Sequence, residues 1–375
     1  MLPPWPAWLL LPFSWLYAAV LAVRNWLYDR GWKRSAPGWV PLLGVGNLRV
    51  GGTGKTPHVA WLVEELLRQG ERPAILSRGY GRQTTGPRLA APGDSAATVG
   101  DEPWQYFQEF SDQGVPVAVA ENRQLGLDLL RQHHPALTCV VLDDAYQHRR
   151  VRPALNILLT ELARPFYNDL VLPAGRLRES RAGAARADVV IITKCPPGLT
   201  AEARAAAEAQ VRRYARPGVP VLFSTYAYAA PEPLVSSFDR KGQPVPVDRS
   251  SLPTPPGPAL LLTGIAQPGP LREHLERQGY TLVHHAALPD HHAFRPADLQ
   301  RLYAHWQPGW PVFTTEKDAT RLGGEGDLGL RGLWPGPVLQ MASHTYTIRV
   351  RVALLGEGAA QLATAVAAAL RRARG

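Results

Sequence analysis

The sequence predicts an α/β fold, with a doubly wound sheet, a second, smaller α/β domain and an N-terminal membrane helix. Near-continuous apolar runs, among them "CVVLDDAYQH", "ALNILLT" and "ADVVIITKC", alternate with amphipathic helical segments, as buried parallel strands do in doubly wound sheets. A stretch rich in Pro and Ser at 226–258 interrupts this alternation, which then resumes. Residues 5–23 carry no charge and are rich in Trp and Leu.

These observations divide the chain into five segments. A chain of 375 residues is long enough for roughly two domains. We expect a membrane-anchoring helix at 1–34, a core domain at 35–225, a linker at 226–258, a smaller α/β domain at 259–345, and a C-terminal strand and helix at 346–375.

The apolar stretch at 5–23 predicts the membrane helix. Its nineteen residues are just enough to cross a bilayer, and basic residues follow it, namely Arg24, Arg30, Lys33 and Arg34. A cleaved signal peptide is disfavoured because the preceding "MLPP" carries no side-chain charge. A buried core helix is the other alternative, although such helices are rarely this apolar for this long. The sequence leaves open whether the helix spans the bilayer or only enters it.

The overall charge predicts an anionic partner. The formal charge is +10 and the pI is near 9.8, with the excess arginine spread along the chain. Nucleic acid, an acidic membrane face and a phosphorylated substrate are all compatible with this charge. Cys139 and Cys195 lie in apolar, strand-like runs, so we expect no disulfide framework and a reducing, cytosolic setting.

The segment "VGNLRVGGTGKT" at 45–56 predicts a phosphate-binding loop and therefore a P-loop NTPase-like sheet. It follows an apolar strand and opens a helix, so backbone N–H groups and the helix N-terminus would face the phosphates. Arg49 stands where the usual G-x-x-x-x-G-K-[ST] spacing has its first glycine. Lys55 would reach the β- and γ-phosphates, and the Thr56 hydroxyl would hold Mg²⁺. The expected cradle consists of Gly51, Gly52, Thr53, Gly54, Lys55 and Thr56.

A pair of carboxylates closes another apolar run. Asp143 and Asp144 end "CVVLDD", which is the position of the metal-binding acid in many P-loop proteins. A solvated pair of loop acids is the alternative. The sequence does not decide which of the two would touch the metal.

Two classes of P-loop protein fit the sequence poorly. "IITKC" resembles the guanine-reading [NT]-K-x-D, but Pro196 stands where the aspartate should be, which argues against a GTPase. ParA-like ATPases carry a lysine directly before G-G-x-G-K-T, where this chain has Val50. A kinase of small molecules is the remaining class.

Seven further segments, read together with the loop, resemble one kinase family. In chain order they are "ILSRGYGR", "VGDEPW", "LDDAYQHRRV", "LVLPAGRLRES", "LTGIAQP", "LPDHHAF" and "FTTEKDATRL". From about residue 38 to 322 the chain is similar to the tetraacyldisaccharide 4'-kinase family, whose loop has the form GNL-x-V-G-G-x-G-K-T. The resemblance implies an ATP- and Mg²⁺-dependent kinase that phosphorylates the 4'-hydroxyl of a tetraacylated glucosamine disaccharide 1-phosphate, giving lipid IVA. Arg49 is ordinary in that family.

The resemblance also assigns roles to individual residues. Asp101 in "VGDEP" matches the family's proposed catalytic aspartate, and His291 in "PDHH" matches the histidine that pairs with it. Arg178 and Glu179 in "GRLRE" are expected to act as a clamp on the γ-phosphate and as a carboxylate near the metal. On the residues alone, a helix N-cap, a solvated loop histidine and a surface charge pair remain open alternatives for these positions.

Weaker assignments concern the acceptor side of the site. Arg78 and Arg82 flank the "GYG" turn and would hold the phosphate that the substrate already carries, although solvated loop arginines are an equal alternative. Three residues are expected to support the site, namely Glu102, Asp290 and His292. The "TEKD" segment around Lys317 matches the family, but no chemistry is assigned to it.

The implied substrate explains the predicted anchor. An acylated disaccharide cannot leave the bilayer easily, since each buried CH₂ contributes about 0.8 kcal/mol. We therefore expect the enzyme at the cytoplasmic face of the inner membrane, in contact with membrane lipids and without nucleic acid or an obligatory protein partner. The alternative function is a membrane-tethered nucleotide switch that regulates a protein partner.

Overall fold

The structure is a computed structural model of the 375-residue chain. It describes residues 5–234, 255–290, 292–322, 333–334 and 336–375. Two sheets with their flanking helices form most of this part of the chain, which confirms the predicted α/β fold. One long apolar helix precedes the first strand, as the sequence predicts.

The elements of the described residues are numbered in chain order. The strands are β1 (Leu42–Asn47), β2 (Pro73–Ser77), β3 (Arg88–Leu89), β4 (Val117–Val119), β5 (Cys139–Asp143), β6 (Leu155–Glu161), β7 (Val189–Thr193), β8 (Val221–Tyr228), β9 (Glu232–Pro233), β10 (Gly257–Thr263), β11 (Tyr280–Ala287), β12 (Val312–Thr315), β13 (Thr345–Ile348) and β14 (Val350–Leu354). The helices are α1 (Trp5–Asp29), α2 (Lys55–Arg68), α3 (Ala96–Val99), α4 (Asp101–Phe110), α5 (Arg123–His133), α6 (Ala201–Arg212), α7 (Gly269–Arg277), α8 (Pro296–Tyr303), α9 (Glu316–Leu322), α10 (Val338–Ala342) and α11 (Gly358–Arg374).

The larger sheet is doubly wound. Its strand order within the described chain is β14-β8-β7-β6-β1-β5-β2-β4-β3, and only the edge strands β14 and β3 pair antiparallel to their neighbours. Leu43 and Val45 of β1 point to the face that α2, α4 and α11 cover. Leu42 and Leu76 point to the opposite face, where Leu127 of α5 joins them. Because both faces are covered, the central strands are apolar at most of their positions.

The strand register positions the candidate site. β1 lies between β5 and β6, and Val45 of β1 is the register partner of Asp143 of β5. The chain leaves these parallel strands at their carboxyl ends, so the loops after β1 and β5 meet at one edge of the sheet. Ligands of open α/β sheets bind at this edge.

The smaller sheet has the order β11-β10-β12-β13-β9 in the described residues. β9 is antiparallel to β13, and the other pairings are parallel. Its core contains the buried aromatic side chains of Phe313 and Trp334, with Leu260 and Val312 of the central strands. This sheet follows the second strand–helix alternation of the sequence.

The strand positions modify the expected segments, whose boundaries otherwise stay a prediction. The expected linker at 226–258 begins inside β8, which ends at Tyr228, and Glu232–Pro233 form β9. Residues 235–254 lie outside the described residues. The Pro-rich composition suggested a connection, but extended Pro-containing segments can pair as short edge strands because an edge position tolerates a missing N–H group.

The C-terminal segment returns to the larger sheet. β14 pairs antiparallel to β8, and Leu362, Val366 and Leu370 of α11 pack in the same apolar core as α2. We expected one strand and one helix at 346–375. Strand β14 and helix α11 in this segment complete the larger unit, whereas β13, which overlaps its start, belongs to the smaller sheet. The chain therefore crosses between the two sheets twice within the described residues.

Helix α1 is exposed over most of its surface. By length and composition, the helix from Trp8 to Asp29 could cross a membrane. Only 6% of its most apolar 18-residue stretch is buried. Large apolar side chains such as Phe13, Trp15 and Leu16 face outward. Such a surface is typical of a membrane-contacting helix and not of a helix from a soluble core.

Candidate active site

The loop between β1 and α2 forms an open cradle of backbone groups. Gly51 and Gly54 have φ angles of 110° and 86°, which are in the left-handed region that favours glycine. Thr53 is buried, and its hydroxyl accepts a hydrogen bond of 2.7 Å from the Asn47 side-chain amide. A Cβ atom at Gly51 or Gly52 would meet nothing within 4 Å, so this side of the loop is open to a ligand. Backbone N–H groups at such a helix start bind phosphate.

A neutral histidine supports the last glycine of the cradle. His58 is buried in α2, where its Nδ1 donates to the Gly54 carbonyl at 2.7 Å and its Nε2 lies 3.0 Å from the Ser224 hydroxyl. Burial lowers the pKa of His58 to about 4, although the hydrogen bond to Gly54 acts to raise it. The ring is therefore neutral at pH 7. Because Nδ1 is the donor, the Ser224 hydroxyl donates to Nε2.

Arg49 has a structural role at the entry of the loop. Its Nε donates to Asp169 at 2.7 Å, and a backbone bridge joins Arg49 to Leu177. The Val50 N–H donates to the Arg176 carbonyl at 2.8 Å. The position where the common spacing has a glycine therefore carries an ion-paired side chain, and the chain around 176–178 holds the entry in place of a tight glycine turn.

The two carboxylates after β5 occupy different environments. Asp143 is 4% exposed, and one of its oxygens accepts a 3.0 Å hydrogen bond from Ser77. Its other oxygen, Oδ1, is buried with no hydrogen-bond partner among the described residues. Burial and the charge of Asp144 raise the pKa of Asp143 to about 6, although Lys55 opposes this. A buried carboxylate oxygen without a partner fits a metal cation.

Asp144 brings the cations of the site together. Its φ angle is 49°, and its carboxylate lies 3.6 Å from the Lys55 Nζ and 2.8 Å from an Arg178 Nη atom. Burial raises the pKa of Asp144, but the charges of Lys55 and Arg178 outweigh it, so the net shift is downward. Lys55, which begins α2, and Arg178, which lies between β6 and β7, are therefore held on one carboxylate beside the cradle.

Helix α4 begins with two further acids, Asp101 and Glu102. Asp101 is the first residue of α4 and Gly100, with a φ angle of 99°, is the N-cap, so the alternative that Asp101 itself caps the helix is wrong. Negative charge at a helix N-terminus is favourable. Tyr106 of α4 is buried, and burial together with the charges of Asp143 and Glu102 raises the pKa of its hydroxyl well above the usual value. The start of α4 thus lies next to the Asp143 carboxylate.

Metal coordination by three acids is not found. Across the described residues, no three His, Cys, Asp or Glu side chains come close enough together to share a metal ion. Mg²⁺ bound to a nucleotide needs only one or two protein carboxylates, because phosphate oxygens and waters complete its octahedron. The unpartnered Asp143 oxygen is compatible with such a site, and the expected part of the Thr56 hydroxyl stays a prediction.

The chain matches known kinases over most of its length. The family model described as tetraacyldisaccharide-1-P 4'-kinase (LpxK) matches residues 6–355. The tetraacyldisaccharide 4'-kinase of Bacteroides thetaiotaomicron is 42% identical over 84% of this chain and 82% of its own length. That of Cytophaga hutchinsonii is 40% identical over 83% of this chain and 84% of its own length. The chain belongs to the tetraacyldisaccharide 4'-kinase family.

A solved structure agrees with this family membership. The crystal structure of LpxK from Aquifex aeolicus in complex with ATP superposes with a TM-score of 0.70 at 26% identity, covering 97% of this chain and 99% of that chain. The resemblance read from the sequence is therefore confirmed, and the α/β architecture is that of the family.

Glu179, from the family segment "LVLPAGRLRES", has other partners than a metal. One carboxylate oxygen accepts from Arg186 at 2.7 Å and from the Gln147 amide at 3.0 Å, and the other accepts from the Asn25 amide at 3.0 Å. Glu179 is buried among these donors. The expectation of a metal-shell carboxylate is not met in this geometry, because its oxygens are used by an arginine and two amides.

The two arginines of the family segment "ILSRGYGR" also differ from each other. The Arg82 side chain is 2% exposed, pairs with Glu121 and donates to the Gly86 carbonyl at 2.6 Å, so it stabilises its own loop and is not open to a substrate. Arg78 is exposed. Burial and the charge of Arg123 lower the pKa of His148 to about 4, and the charge of Arg78 contributes to this shift. Arg78 therefore remains a candidate for the acceptor phosphate.

The family segment "LPDHHAF" is only partly described. His291 lies outside the described residues, so its expected pairing with Asp101 stays a prediction. Its neighbour His292 contacts Asp298 at 2.8 Å across the start of α8, and Asp290 lies 3.4 Å from Lys317. Both neighbours thus have structural partners within the smaller unit.

One family segment connects the smaller unit to the cradle. Gln267 of "LTGIAQP" accepts from the Lys194 Nζ at 2.5 Å, and the same ammonium group donates to the Gly52 carbonyl at 2.5 Å. The Gln267 amide also donates to Glu161 at 2.9 Å. The sequence pattern around Lys194 suggested only a failed guanine motif, whereas the structure shows a lysine that links the loop to the second sheet.

The "TEKD" segment links the smaller unit to the helix of Asp101. Asp318 is fully buried and accepts from the Gly264 N–H at 3.1 Å and from Thr315 at 2.7 Å, which holds α9 against β10. Glu316 accepts a 2.7 Å hydrogen bond from Gln105 of α4. These contacts came from distant parts of the chain, so the sequence assigned the segment no role.

Glu316 is expected to make stability fall as the pH rises. Burial, followed by repulsion from Glu109, raises its pKa from 4.5 to about 7 against the charge of Arg349. Between these values the folded chain keeps a Glu316 proton that the unfolded chain has released, so the contribution of Glu316 to the free energy of unfolding decreases as pH rises from about 4.5 to about 7. Glu316→Gln should remove this contribution, so its free energy of unfolding should exceed that of the wild type at pH 8 by roughly 1 to 3 kcal/mol.

Urea unfolding at pH 5 and pH 8 measures the effect. Glu202→Gln on α6, which removes an exposed carboxyl group, is the matched control and should keep the wild-type dependence. A Glu316→Gln variant whose free energy of unfolding changes between the two pH values by the same amount as that of the wild type would contradict the assignment.

Proposed function

We propose that the chain is a tetraacyldisaccharide 4'-kinase that transfers the γ-phosphoryl group of ATP to the 4'-hydroxyl of a tetraacylated glucosamine disaccharide 1-phosphate, giving lipid IVA. The observation that carries the proposal is the convergence of the glycine cradle, Lys55, Arg178 and the Asp143–Asp144 pair at one sheet edge, in a chain of this family. Phosphoryl transfer depends mostly on positioning and charge neutralisation, and these groups supply both.

ATP and Mg²⁺ are the proposed cofactors. The Aquifex aeolicus relative is described in complex with ATP. In this chain the residues that would hold the triphosphate are Gly51, Gly52, Thr53, Gly54, Lys55 and Thr56. The Thr56 hydroxyl and the free Asp143 oxygen would hold Mg²⁺, which neutralises charge on the phosphate oxygens when bound. Glu179 has no part in this set, because three other side chains use its oxygens.

Two groups are proposed to act on the reacting atoms. Arg178 presents a planar guanidinium that binds phosphate oxygens in pairs, and its present partner Asp144 keeps it beside Lys55. Asp101, at the start of α4, is proposed to accept the proton of the acceptor hydroxyl, and Glu102 to support it. His291 is proposed to orient Asp101, as the family resemblance implies.

The acceptor is proposed to be reached at a membrane face. Exposed Arg78 is the candidate for the acceptor's existing phosphate, and the exposed apolar side chains of α1 would enter the lipid. Because ATP is cytosolic, the enzyme would act at the cytoplasmic face of the inner membrane. A net charge of +10 favours binding to an anionic lipid surface.

Deletion of residues 1–23 should release the protein from membranes. This deletion removes most of the exposed apolar surface of α1, including Phe13, Trp15 and Leu16. Co-sedimentation with vesicles that contain anionic lipid measures the loss, with the full chain as the reference. Continued tight sedimentation of the shortened chain would mean that the anchor lies elsewhere.

A transfer assay separates the proposal from its rival. With γ-labelled ATP and the tetraacylated disaccharide 1-phosphate in mixed micelles, a kinase transfers label to the lipid, and its ATP turnover depends on that acceptor. A nucleotide switch would instead hydrolyse ATP slowly without the acceptor and respond to a protein partner. Absence of labelled lipid from active, folded protein would refute the proposed function.

A further inference from the structure

Helix α1 presents one continuous stripe of side chains to the rest of the protein. Leu11, Ser14, Ala18, Leu21 and Asn25 recur at intervals of three or four residues and are buried or half-buried, while most positions between them are exposed. Such spacing places the five side chains on one face of the helix. The helix therefore packs against the protein over several turns and is not only a tether.

The N-terminal half of this helix contacts the segment that ends at Arg178. Ser14 is 3% exposed, although it lies in a helix whose surface is mostly exposed, and its Oγ accepts the Ala174 N–H at 2.9 Å. The Tyr17 hydroxyl donates to the Arg178 carbonyl at 3.4 Å. A buried hydroxyl with a backbone partner indicates a specific docking position.

The C-terminal end of the stripe contacts Glu179, the residue that follows Arg178. The Asn25 amide donates to one Glu179 oxygen at 3.0 Å. The other Glu179 oxygen accepts from Arg186 and from Gln147, and Gln147 also donates to the Asn47 carbonyl at 2.8 Å. Asn47 ends β1, so a chain of hydrogen bonds runs from α1 through Glu179 to the start of the phosphate loop.

Arg178 is held between this network and the cradle. Its backbone N–H donates to the Leu48 carbonyl at 2.7 Å, and its guanidinium donates to Asp144 at 2.8 and 2.9 Å. Helix α1 thus contacts the chain at Ala174, Arg178 and Glu179, while Leu48 of the loop after β1 holds the backbone of Arg178. A small shift of Glu179 would move the neighbouring guanidinium, and a displacement of about 1 Å can cost up to roughly 10²-fold in rate.

We propose that Asn25 is a positioning residue for phosphoryl transfer: through Glu179, the docked helix α1 fixes the Arg178 guanidinium beside Asp144 and Lys55. The membrane helix is then part of the catalytic framework as well as an anchor. This inference rests on the proposed function, because it assigns Arg178 to the transferred phosphoryl group.

Asn25→Leu tests the proposal, since it keeps the size of the side chain and removes the donor. In mixed micelles, at saturating ATP and tetraacylated disaccharide acceptor, kcat should fall about 10-fold. The KM values for both substrates and co-sedimentation with anionic vesicles should stay within about two-fold, because the exposed face of α1 is unchanged. Gln210→Leu, an equivalent change on the exposed surface of α6, is the control and should keep the wild-type kcat.

A double-mutant cycle identifies the route of the effect. If Asn25 acts through Arg178, adding Asn25→Leu to an Arg178→Ala chain should lower kcat no further. An unchanged kcat in Asn25→Leu, an equal fall in the Arg178→Ala background, or a parallel loss of vesicle binding would each overturn the proposal. Asn25→Ala serves in the same cycle if the leucine variant does not fold.

The experiment separates this inference from the proposed function. A folded wild-type chain that transfers no label to the acceptor overturns both. An active wild type whose Asn25 and Arg178 substitutions act independently overturns the positioning role alone.

Discussion

Replacing Lys55 with alanine should abolish phosphoryl transfer while leaving the fold intact. The Lys55 side chain is 18% exposed and its ammonium group lies 3.6 Å from Asp144, at the open side of the cradle. A cation here neutralises charge that develops on the transferred phosphoryl group, and loss of such a group costs roughly 10³-fold or more in kcat. Transfer of γ-label from ATP to the tetraacylated disaccharide acceptor measures the loss.

The control for this prediction is Arg212→Ala, which removes an exposed cation of α6. Within the described part of the chain, its ion-pair partner is Glu208 of the same helix. Both variants should keep the far-UV circular dichroism and melting temperature of the wild type. A Lys55→Ala enzyme that retains more than about a tenth of the wild-type kcat would exclude Lys55 from the transfer step.

Replacing Asp101 with asparagine is the second change with a large expected effect. Asparagine keeps the size and the position at the start of α4 but cannot accept a proton at neutral pH. Loss of a general base costs roughly 10²- to 10⁴-fold in kcat, whereas the KM for ATP should change little because the cradle is untouched. Steady-state kinetics with ATP and the lipid acceptor separate the two parameters.

Asp112→Asn provides the matched comparison, because it makes the same chemical change on the exposed surface after α4. This variant should keep the wild-type kcat. If Asp101→Asn also kept it, Asp101 would have no part in the proposed proton transfer. If only the KM for ATP rose, Asp101 would belong to nucleotide binding.

Some parts of the site could be predicted because they are local in sequence. The phosphate loop follows from a strand, glycines, Lys55 and the helix after them, all within a short segment. Asp143 and Asp144 could be found because they end an apolar run, and the position at the carboxyl end of a parallel strand is decided by the topology of such sheets. The seven family segments could be recognised for the same reason.

Other assignments depended on partners that the sequence does not display. Glu179 and Arg82 were expected to face ligands, but each is used by groups from elsewhere in the chain. Arg82 meets Glu121, which lies between β4 and α5, and Glu179 meets Asn25 of α1. A charged side chain in a family segment can serve either a ligand or the fold, and only its neighbours distinguish the two.

Supporting residues were missed for a related reason. Tyr106, one turn after Asp101, and Gln147, shortly after Asp144, are polar side chains next to predicted site residues. Their spacing was a usable signal. Asn25 and Gln267 offered no such signal, because their contacts cross 73 to 154 residues of sequence.

The sequence alone determined the class of fold, the phosphate loop, the apolar helix and the kinase family, since each is written in local periodicity or in short motifs whose order along the chain is preserved. The tertiary structure alone decided which charges serve the fold, how β14 and α11 return to the larger sheet, and that α1 docks beside Arg178. Burial and pairing are properties of a side chain's surroundings, and those surroundings are assembled from distant segments only when the chain folds.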